Sequence, residues 1–538
     1  MANNTILIKN AIILAAGKSN RLAPFTYEKP KGLFIVRNEI LIERQIEQLL
    51  EAGIKDIYIV IGYMKEKFFY LEQKYPEVTL LVNNKFGKLG NIYSMYVARE
   101  YLSNTFICCS DHYFLENPFL DDNDSNISYR YCDYMEGEFR EFSVDYSNSG
   151  VITGCYMGGE NKMAMIGPAY FNESFSKEFI GLLENEINKF GIGNLFWEDF
   201  YGKHIKELTL STKKANQSKM LEFDSVEDLR EFDSNFLINI NSEIIENICT
   251  ILKCKPNDIK SMEIINAGFT NISFKFTIDD VDYVYRHPGG SDKYYSDRKN
   301  EEYSQNQAKK YGIDDSLIYI DPTGWKIAYY IHNIVPIDII GNETHRKQLF
   351  EAIHKTHKIP ISEDIKEFDN VLESKKLLTL ASASKGDLFE EFKELFDKID
   401  QVYEFVKAER EKYGIELVVS HHDIYYPNLL PTSDGKFYLI DWEYSGINDP
   451  ANDIAGLITR YDFDKETTDF LLKEYYGHEL TPLERRHFMG QSILTALYWI
   501  SWPLFRGSME EEDGFFLLTS YRYLINNIDD VIESYKEI

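Results

Sequence analysis

Ala11-Ile12-Ile13-Leu14-Ala15-Ala16-Gly17-Lys18-Ser19-Asn20-Arg21-Leu22-Ala23-Pro24 runs an apolar segment straight into a glycine turn and a basic residue, and Pro30-Lys31 follows. A glycine turn after a strand lets backbone N–H groups face phosphate oxygens without a Cβ in the way. Ala15, Ala16, Gly17 and Lys18 are therefore the candidate nucleotide loop. Arg21 and Lys31 add positive charge against phosphates, and Pro24 and Pro30 stiffen the loop between them.

Outward from this loop, strand and helix patterns alternate. Thr5 to Leu14, Asp56 to Gly62, Val78 to Val82 and Thr105 to Ser110 read as strands. Glu39 to Ala52, Met64 to Tyr75 and Ile92 to Leu102 read as helices, the first stopping at Gly53. Repeated βαβ units of this length predict a doubly wound, mostly parallel, Rossmann-like α/β sheet. Such sheets bind ligands at the carboxyl ends of their strands, where the Gly17 loop and Asp111 fall. Asp111 can present a carboxylate to Mg2+. Asp224, before the expected helix Ser225 to Phe232, reads equally as a second metal carboxylate or as the helix N-cap.

Near residue 239 the pattern changes, which predicts a first domain over 1–232 and a second over 239–538. Asn239 to Leu252 is an amphipathic helix, and short strands follow at Glu263 to Ile265, Ile272 to Ile278 and Tyr283 to Arg286. The chain is mainly helical after Ile337, which divides the second domain into a small β-rich lobe (239–336) and a helical lobe (337–538). Ala381-Ser382-Ala383-Ser384-Lys385-Gly386 reads as a linker-like loop. This α+β arrangement is that of protein-kinase-like folds.

The second half carries its own phosphate chemistry. Phosphoryl transfer to an alcohol needs a carboxylate beside the hydroxyl, two groups for the metal and a cation on the nucleotide phosphates. Asp423, in His421-His422-Asp423, suits the first role; Asn428 and Asp441 suit the metal. Arg286, ending a strand, could touch the phosphates, with Glu301 pairing to it from the following helix. Gly268-Phe269-Thr270-Asn271 would be the turn covering them. His421 reads as support for the loop.

Composition narrows the partners. With 58 basic and 87 acidic residues among 538, the net charge of −29 argues against nucleic acid and anionic membrane surfaces. Six cysteines match no disulfide or zinc spacing, which implies a reducing compartment. There is no signal-peptide pattern and no apolar run near the ~20 residues that cross a bilayer. A cytoplasmic location follows as an expectation. Nothing in the sequence specifies an oligomer.

The opening loop, Asn91-Ile92-Tyr93-Ser94, Ser110-Asp111-His112-Tyr113, Trp197-Glu198-Asp199 and Phe223-Asp224-Ser225 resemble the sugar-phosphate nucleotidyltransferase superfamily, most of all its bacterial phosphocholine cytidylyltransferases, over roughly residues 5–232. The resemblance implies CTP as substrate, Mg2+ on Asp111 and Asp224, and phosphate contacts from Arg21 and Lys31. Ser110-Asp111-His112 departs from the more acidic stretch expected there. From about residue 239 onward, Tyr285-Arg286-His287-Pro288-Gly289, Arg298-Lys299-Asn300-Glu301, Asp441-Trp442-Glu443-Tyr444 and Asp449-Pro450-Ala451-Asn452-Asp453 resemble the choline and ethanolamine kinases. That implies ATP, Mg2+ and a small amino alcohol.

An aromatic box is the usual holder of a quaternary ammonium. Trp499 and Trp502 share a helical face, and Trp442 and Tyr444 follow the metal aspartate. For the tryptophan pair, core packing and a choline pocket stand level; Trp197 could serve the first site. The combined expectation is a bifunctional enzyme: choline to phosphocholine, then phosphocholine and CTP to CDP-choline. The same steps on ethanolamine, with Glu443 meeting the ammonium, are the first alternative. A sugar-1-phosphate nucleotidyltransferase fused to a sugar or aminoglycoside kinase is the second.

Overall fold

The computed structural model describes residues 10–120, 126–265, 271–289, 292–461, 463–509 and 516–536. The chain forms two compact units, Met1–Asp258 and Ile259–Ile538.

The first unit is built on a seven-stranded sheet. Its order is Ser211–Lys214, Tyr129–Tyr146, Ile152–Phe171, Thr105–Cys109, Asn10–Ala15, Asp56–Ile61 and Val78–Val82. Asn10–Ala15 is buried along its whole length and pairs in parallel with Asp56–Ile61 on one side and Thr105–Cys109 on the other. Continuous burial on both faces is what its unbroken apolar run requires. The long antiparallel pair Tyr129–Tyr146 and Ile152–Phe171 extends the parallel core into a mixed sheet. Much of that hairpin is exposed and polar, so it shows no buried-strand signal.

The helices are shorter than their periodicity predicts. Leu41–Glu51 is preceded by a two-residue strand, and the Met64 to Tyr75 segment is a 3-10 turn followed by Tyr70–Lys74. The short helix Asn91–Val97 is held by backbone contact. Gly90 N–H donates to Gly193 O at 2.8 Å, and a Cβ on Gly90 would fall 2.2 Å from Leu195 O.

The division between the units falls later than residue 239. Helix Glu243–Leu252 belongs to the first unit. Lys29 Nζ donates to Ile240 O at 2.7 Å, and Ile244 N–H donates to Glu28 Oε1 at 3.1 Å. These bonds tie the segment back to the loop that carries Pro30-Lys31.

The second unit begins with a five-stranded antiparallel sheet in the order Lys260–Ile265, Ile272–Ile278, Val281–His287, Lys326–Tyr329, Leu317–Ile320. Helix Arg298–Lys310 lies between its third and fourth strands in sequence. The helical part is organised on Pro482–Ser508, which packs against Asn370–Lys385, Lys393–Tyr413, Ala451–Arg460 and Leu517–Lys536. Thr481 and Glu484 form a capping box and Pro482 takes the first turn, so the start of this helix is fixed by its sequence. The Ala381 to Gly386 stretch is not a loop. It completes helix Asn370–Lys385, as alanine's helix preference allows, and Gly386 at φ 91° ends it.

Gly90→Ala should destabilise the first unit by about 2 kcal/mol, because the new methyl meets a backbone oxygen that no rotamer change can move. An unchanged denaturant midpoint for that unit would contradict the close approach.

Candidate functional site

In the first unit, strand Asn10–Ala15 ends in an open turn. Ala15 and Ala16 are buried, so only their backbone can meet a ligand. Nothing lies within 4 Å of the place a Gly17 Cβ would take, so the open space is not filled by packing. Tyr63 N–H donates to Ala16 O and Ser110 N–H to Leu14 O, both at 3.1 Å, which fixes the loop to its neighbours.

Lys31 is only 6% exposed, and its Nζ lies 3.1 Å from Asp111 Oδ2. Gly32 makes this approach possible, since a Cβ there would stand 2.8 Å from Ser110 Cβ. Burial alone would lower the Lys31 pKa; the Asp111 and Glu222 carboxylates outweigh it and raise it, so the ammonium stays charged.

Arg21 Nη1 pairs with Asp224 Oδ1 at 2.8 Å in a half-exposed bridge. Ser225, not Asp224, caps helix Val226–Phe232, accepting from Asp228 N–H. The capping role is thus filled, and the Asp224 carboxylate is left to the site. Burial, helped by Glu222 and Asp111, raises its pKa against the pull of Arg21 and Lys31. Three carboxylates therefore share one field.

Sheet register explains the meeting of residues so distant in sequence. Met220–Glu222 pairs antiparallel with His112–Phe114, setting Glu222 opposite His112. Asp111 precedes one strand and Asp224 follows the other. Glu222 and His112 were not singled out from the sequence; His112 Nε2 lies 3.4 Å from Glu222 Oε2. Cys109, Asp111 and His112 also cluster, but burial pushes the Cys109 thiol well up, and a protonated sulfur does not suit magnesium. Asp111 Oδ1 is buried with no hydrogen-bond partner among the described residues, a hard oxygen that does suit it.

Trp197 is not a pocket wall. At 1% exposure its ring lies edge-on to Phe171 in the core, and its backbone N–H donates to Asn91 Oδ1 at 2.7 Å. Next to it, burial pushes the Glu198 carboxyl up to about 7 although Arg130 lies 3.7 Å away.

In the second unit, strands Leu429–Pro431 and Phe437–Leu439 form a hairpin, and Ile440 N–H donates to Asn428 O at 3.0 Å. This brings Asn428 and Asp441 to the same end of the hairpin. Asn428 Nδ2 donates to Asp423 Oδ2 at 2.7 Å, leaving its amide oxygen as the atom that could meet a cation. His422 and Asp441 hold left-handed backbone at φ 70° and 66°, a strained conformation typical of functional loops.

Arg286 joins both halves of this site. Its Nη1 lies 3.1 Å from Asp441 Oδ1, and its Nη2 pairs with the fully buried Glu301. Arg298 and Lys326 also reach Glu301, at 3.8 Å for Lys326, which stands 3.9 Å from Asp441 as well. Lys326 escapes the sequence reading because β register alone sets it opposite Arg286. Burial, with Arg286 nearby, lowers its pKa. Asn271 donates to Glu443 Oε2 at 2.9 Å; residues 268–270 of the expected covering turn lie outside the described residues.

His421 is a support, as expected. Its Nδ1 accepts from Asp423 N–H at 3.2 Å, while Nε2 meets Ile440 O at 3.0 Å. Burial lowers its pKa and keeps it neutral. Trp442 stands apart from the aromatic cluster. It is fully buried, donates from Nε1 to Leu439 O at 3.0 Å and packs on His421. The cluster includes Tyr295, Tyr444, Tyr498, Trp499, Trp502 and Phe516, with Trp499 and Trp502 at 6.2 Å.

Residues 11–123 match the MobA-like NTP transferase domain, and residues 262–491 match the choline/ethanolamine kinase family. Over 235 residues the chain is 34% identical to 2-aminoethylphosphonate cytidylyltransferase of Lancefieldella rimae, covering 43% of this chain and 95% of that protein. It is 32% identical over 223 residues to choline-phosphate cytidylyltransferase of Streptococcus pneumoniae, covering 41% and 96%. Protein LicA of Haemophilus influenzae is 27% identical over 222 residues, covering 38% and 76%. Both units are thus transferase domains. The chain belongs to the cytidylyltransferases through its first unit and joins to it a domain of the choline/ethanolamine kinase family.

Asp453 supplies the acid-labile element of the kinase loop. Fully buried, it accepts from His421 N–H at 3.1 Å, His422 N–H at 2.8 Å and His357 Nε2 at 3.0 Å. Burial would raise its pKa; the His357 bond and the neighbouring imidazoles win and bring it to about 2. A depressed carboxylate stabilises the fold above its unfolded pKa of about 4 and loses that contribution as pH falls towards 2. Wild type should therefore lose about 2 kcal/mol over that interval relative to Asp453→Asn. Parallel stability–pH curves for the two would refute this.

Proposed function

We propose that this chain makes CDP-choline in two steps. The kinase unit phosphorylates choline from ATP, and the transferase unit joins the resulting phosphocholine to CMP from CTP, releasing pyrophosphate. One observation carries the reading: a choline/ethanolamine kinase domain and a cytidylyltransferase lie on one chain, and the phosphomonoester made by the first is the nucleophile used by the second.

In the kinase unit, Asp423 accepts the proton of the choline hydroxyl as its oxygen attacks the γ-phosphorus. Arg286, anchored by Glu301, meets the nucleotide phosphates. Asn428 and Asp441 could hold Mg2+. In the transferase unit no proton need be removed, because a phosphomonoester oxygen is already anionic. It attacks the α-phosphorus in line while Lys31 and Arg21 take up charge on the phosphates and the Gly17 turn offers backbone N–H groups. Asp111 and Asp224 could hold the metal there. Magnesium, when bound, neutralises phosphate charge in both reactions. None of the six cysteines is joined in a disulfide, which supports placing both steps in a reducing compartment such as the cytoplasm.

A primary-amine substrate is the second reading. It is favoured by the match to a 2-aminoethylphosphonate cytidylyltransferase and by a family model that spans ethanolamine kinases.

Asp423→Asn should lower phosphocholine formation from choline and ATP at least about 10³-fold, the usual scale for a proton acceptor held in place. CDP-choline formation from supplied phosphocholine should persist. Asp111→Asn should do the reverse and accumulate phosphocholine. Product analysis by mass spectrometry with choline or ethanolamine checks both. Loss of both reactions in either variant, or turnover of ethanolamine alone, would overturn the proposal.

A further inference from the structure

The aromatic cluster of the kinase unit already holds a cation. Arg460, the last residue of helix Ala451–Arg460, is 2% exposed, and its guanidinium carbon lies 4.0 Å above the Trp499 ring. The same group reaches the reacting end of the site. Nη1 donates to Asp423 Oδ1 at 2.6 Å, Nη2 to Ile424 O at 2.9 Å and Nε to Gly456 O at 3.0 Å. Asn428 holds the other Asp423 oxygen, so both are bonded within the protein.

An aromatic face attracts a cation through its quadrupole, and a guanidinium satisfies that attraction as well as a trimethylammonium does. The Trp499 face, 3% exposed, is covered by one cation, and a second brought beside it meets like charge. An arginine is effectively always charged, so the competition cannot be relieved by losing a proton. Beside Trp499, at ring distances of 5.1 and 6.2 Å, Tyr498 OH and Trp502 Nε1 are buried polar atoms with no hydrogen-bond partner among the described residues. A quaternary ammonium has neither donor nor acceptor to offer them. The cluster is therefore not shaped for a trimethylammonium alone.

We propose that Arg460 is a specificity-determining residue of the kinase site, an internal cation that competes with a cationic alcohol for Trp499 and for Asp423. The inference rests on the choline reading above. It makes the site less selective for positive charge than its aromatic lining implies. The alcohol gains the Trp499 face only as Arg460 yields it, and Arg460 holds Asp423 in place until then.

The test compares choline with its neutral carbon isostere, in which a tert-butyl group replaces the trimethylammonium, in the full-length protein. In wild type the KM of the isostere should exceed that of choline by less than about threefold, the lower end for an aromatic–cation contact. In Arg460→Gln the choline KM should fall and the ratio should widen to about tenfold, with kcat reduced for both alcohols because Asp423 has lost a partner. Arg460→Lys, which keeps the charge, should keep the wild-type ratio. A merely structural Arg460 would raise both KM values together and leave the ratio where it was, which overturns the proposal. A ratio above about tenfold in wild type overturns it without any variant. If wild type turns over neither alcohol, the choline reading itself falls and this inference with it.

Discussion

A charge taken out of water must find a partner, because an isolated buried ion costs more than the few kcal/mol by which a domain is stable. Both sites of this chain are organised by that constraint. Lys31 is buried against Asp111, Arg286 against Glu301 and Asp441, and Arg460 against Asp423. In each unit a carboxylate suited to magnesium stands 3.1 Å from a basic side chain. The basic groups are thus preorganised beside the position where phosphate and metal would meet. In a protein of net charge −29, the few basic side chains desolvated at these sites are local exceptions to the negative field that a nucleotide phosphate would meet.

The two sites reach the same balance by different routes. In the transferase, strand ends and one short antiparallel pairing bring Asp111, Glu222 and Asp224 together, and Gly32 allows the lysine turn to approach. In the kinase, a small hairpin sets Asn428 and Asp441 side by side, and Asp453 and His421 fasten the loop that carries Asp423. Strained backbone at His422 and Asp441 is tolerated because those hydrogen bonds over-determine it. The first site is open beside Gly17; in the second, Asn428 and Arg460 each hold one oxygen of Asp423.

Much of this was legible in the residues. The apolar run at Ile12 and its glycine turn placed the parallel sheet, and the order Asp423, Asn428, Asp441 marked the kinase loop. What escaped depends on pairing between distant segments. Glu222 joins the transferase site only through its register with His112, and Lys326 joins Glu301 only because its strand lies beside that of Arg286. Arg460 gave one readable sign, a basic residue just after the apolar run Ile454 to Ile458, but helix packing decides what it touches. Trp197 and Trp442 show the opposite failure. Their neighbours in sequence are catalytic in type, yet their rings pack the core, as large aromatic surfaces usually do. Ala381 to Gly386 looked like a linker from its small residues, but alanine has the strongest intrinsic helix preference and the stretch completes Asn370–Lys385.

The bonds from Glu28 and Lys29 to Ile244 and Ile240 bear on how such a fusion comes apart. The stretch from residue 239 reads in sequence as the start of the second domain, yet it braces the turn that carries Lys31. Severing the polypeptide there would leave the glutamate and the lysine without their tethers and the apolar face of Glu243–Leu252 uncovered. The seam between the two catalysts therefore lies beyond Asp258, and the earlier enzyme owns the connecting helix.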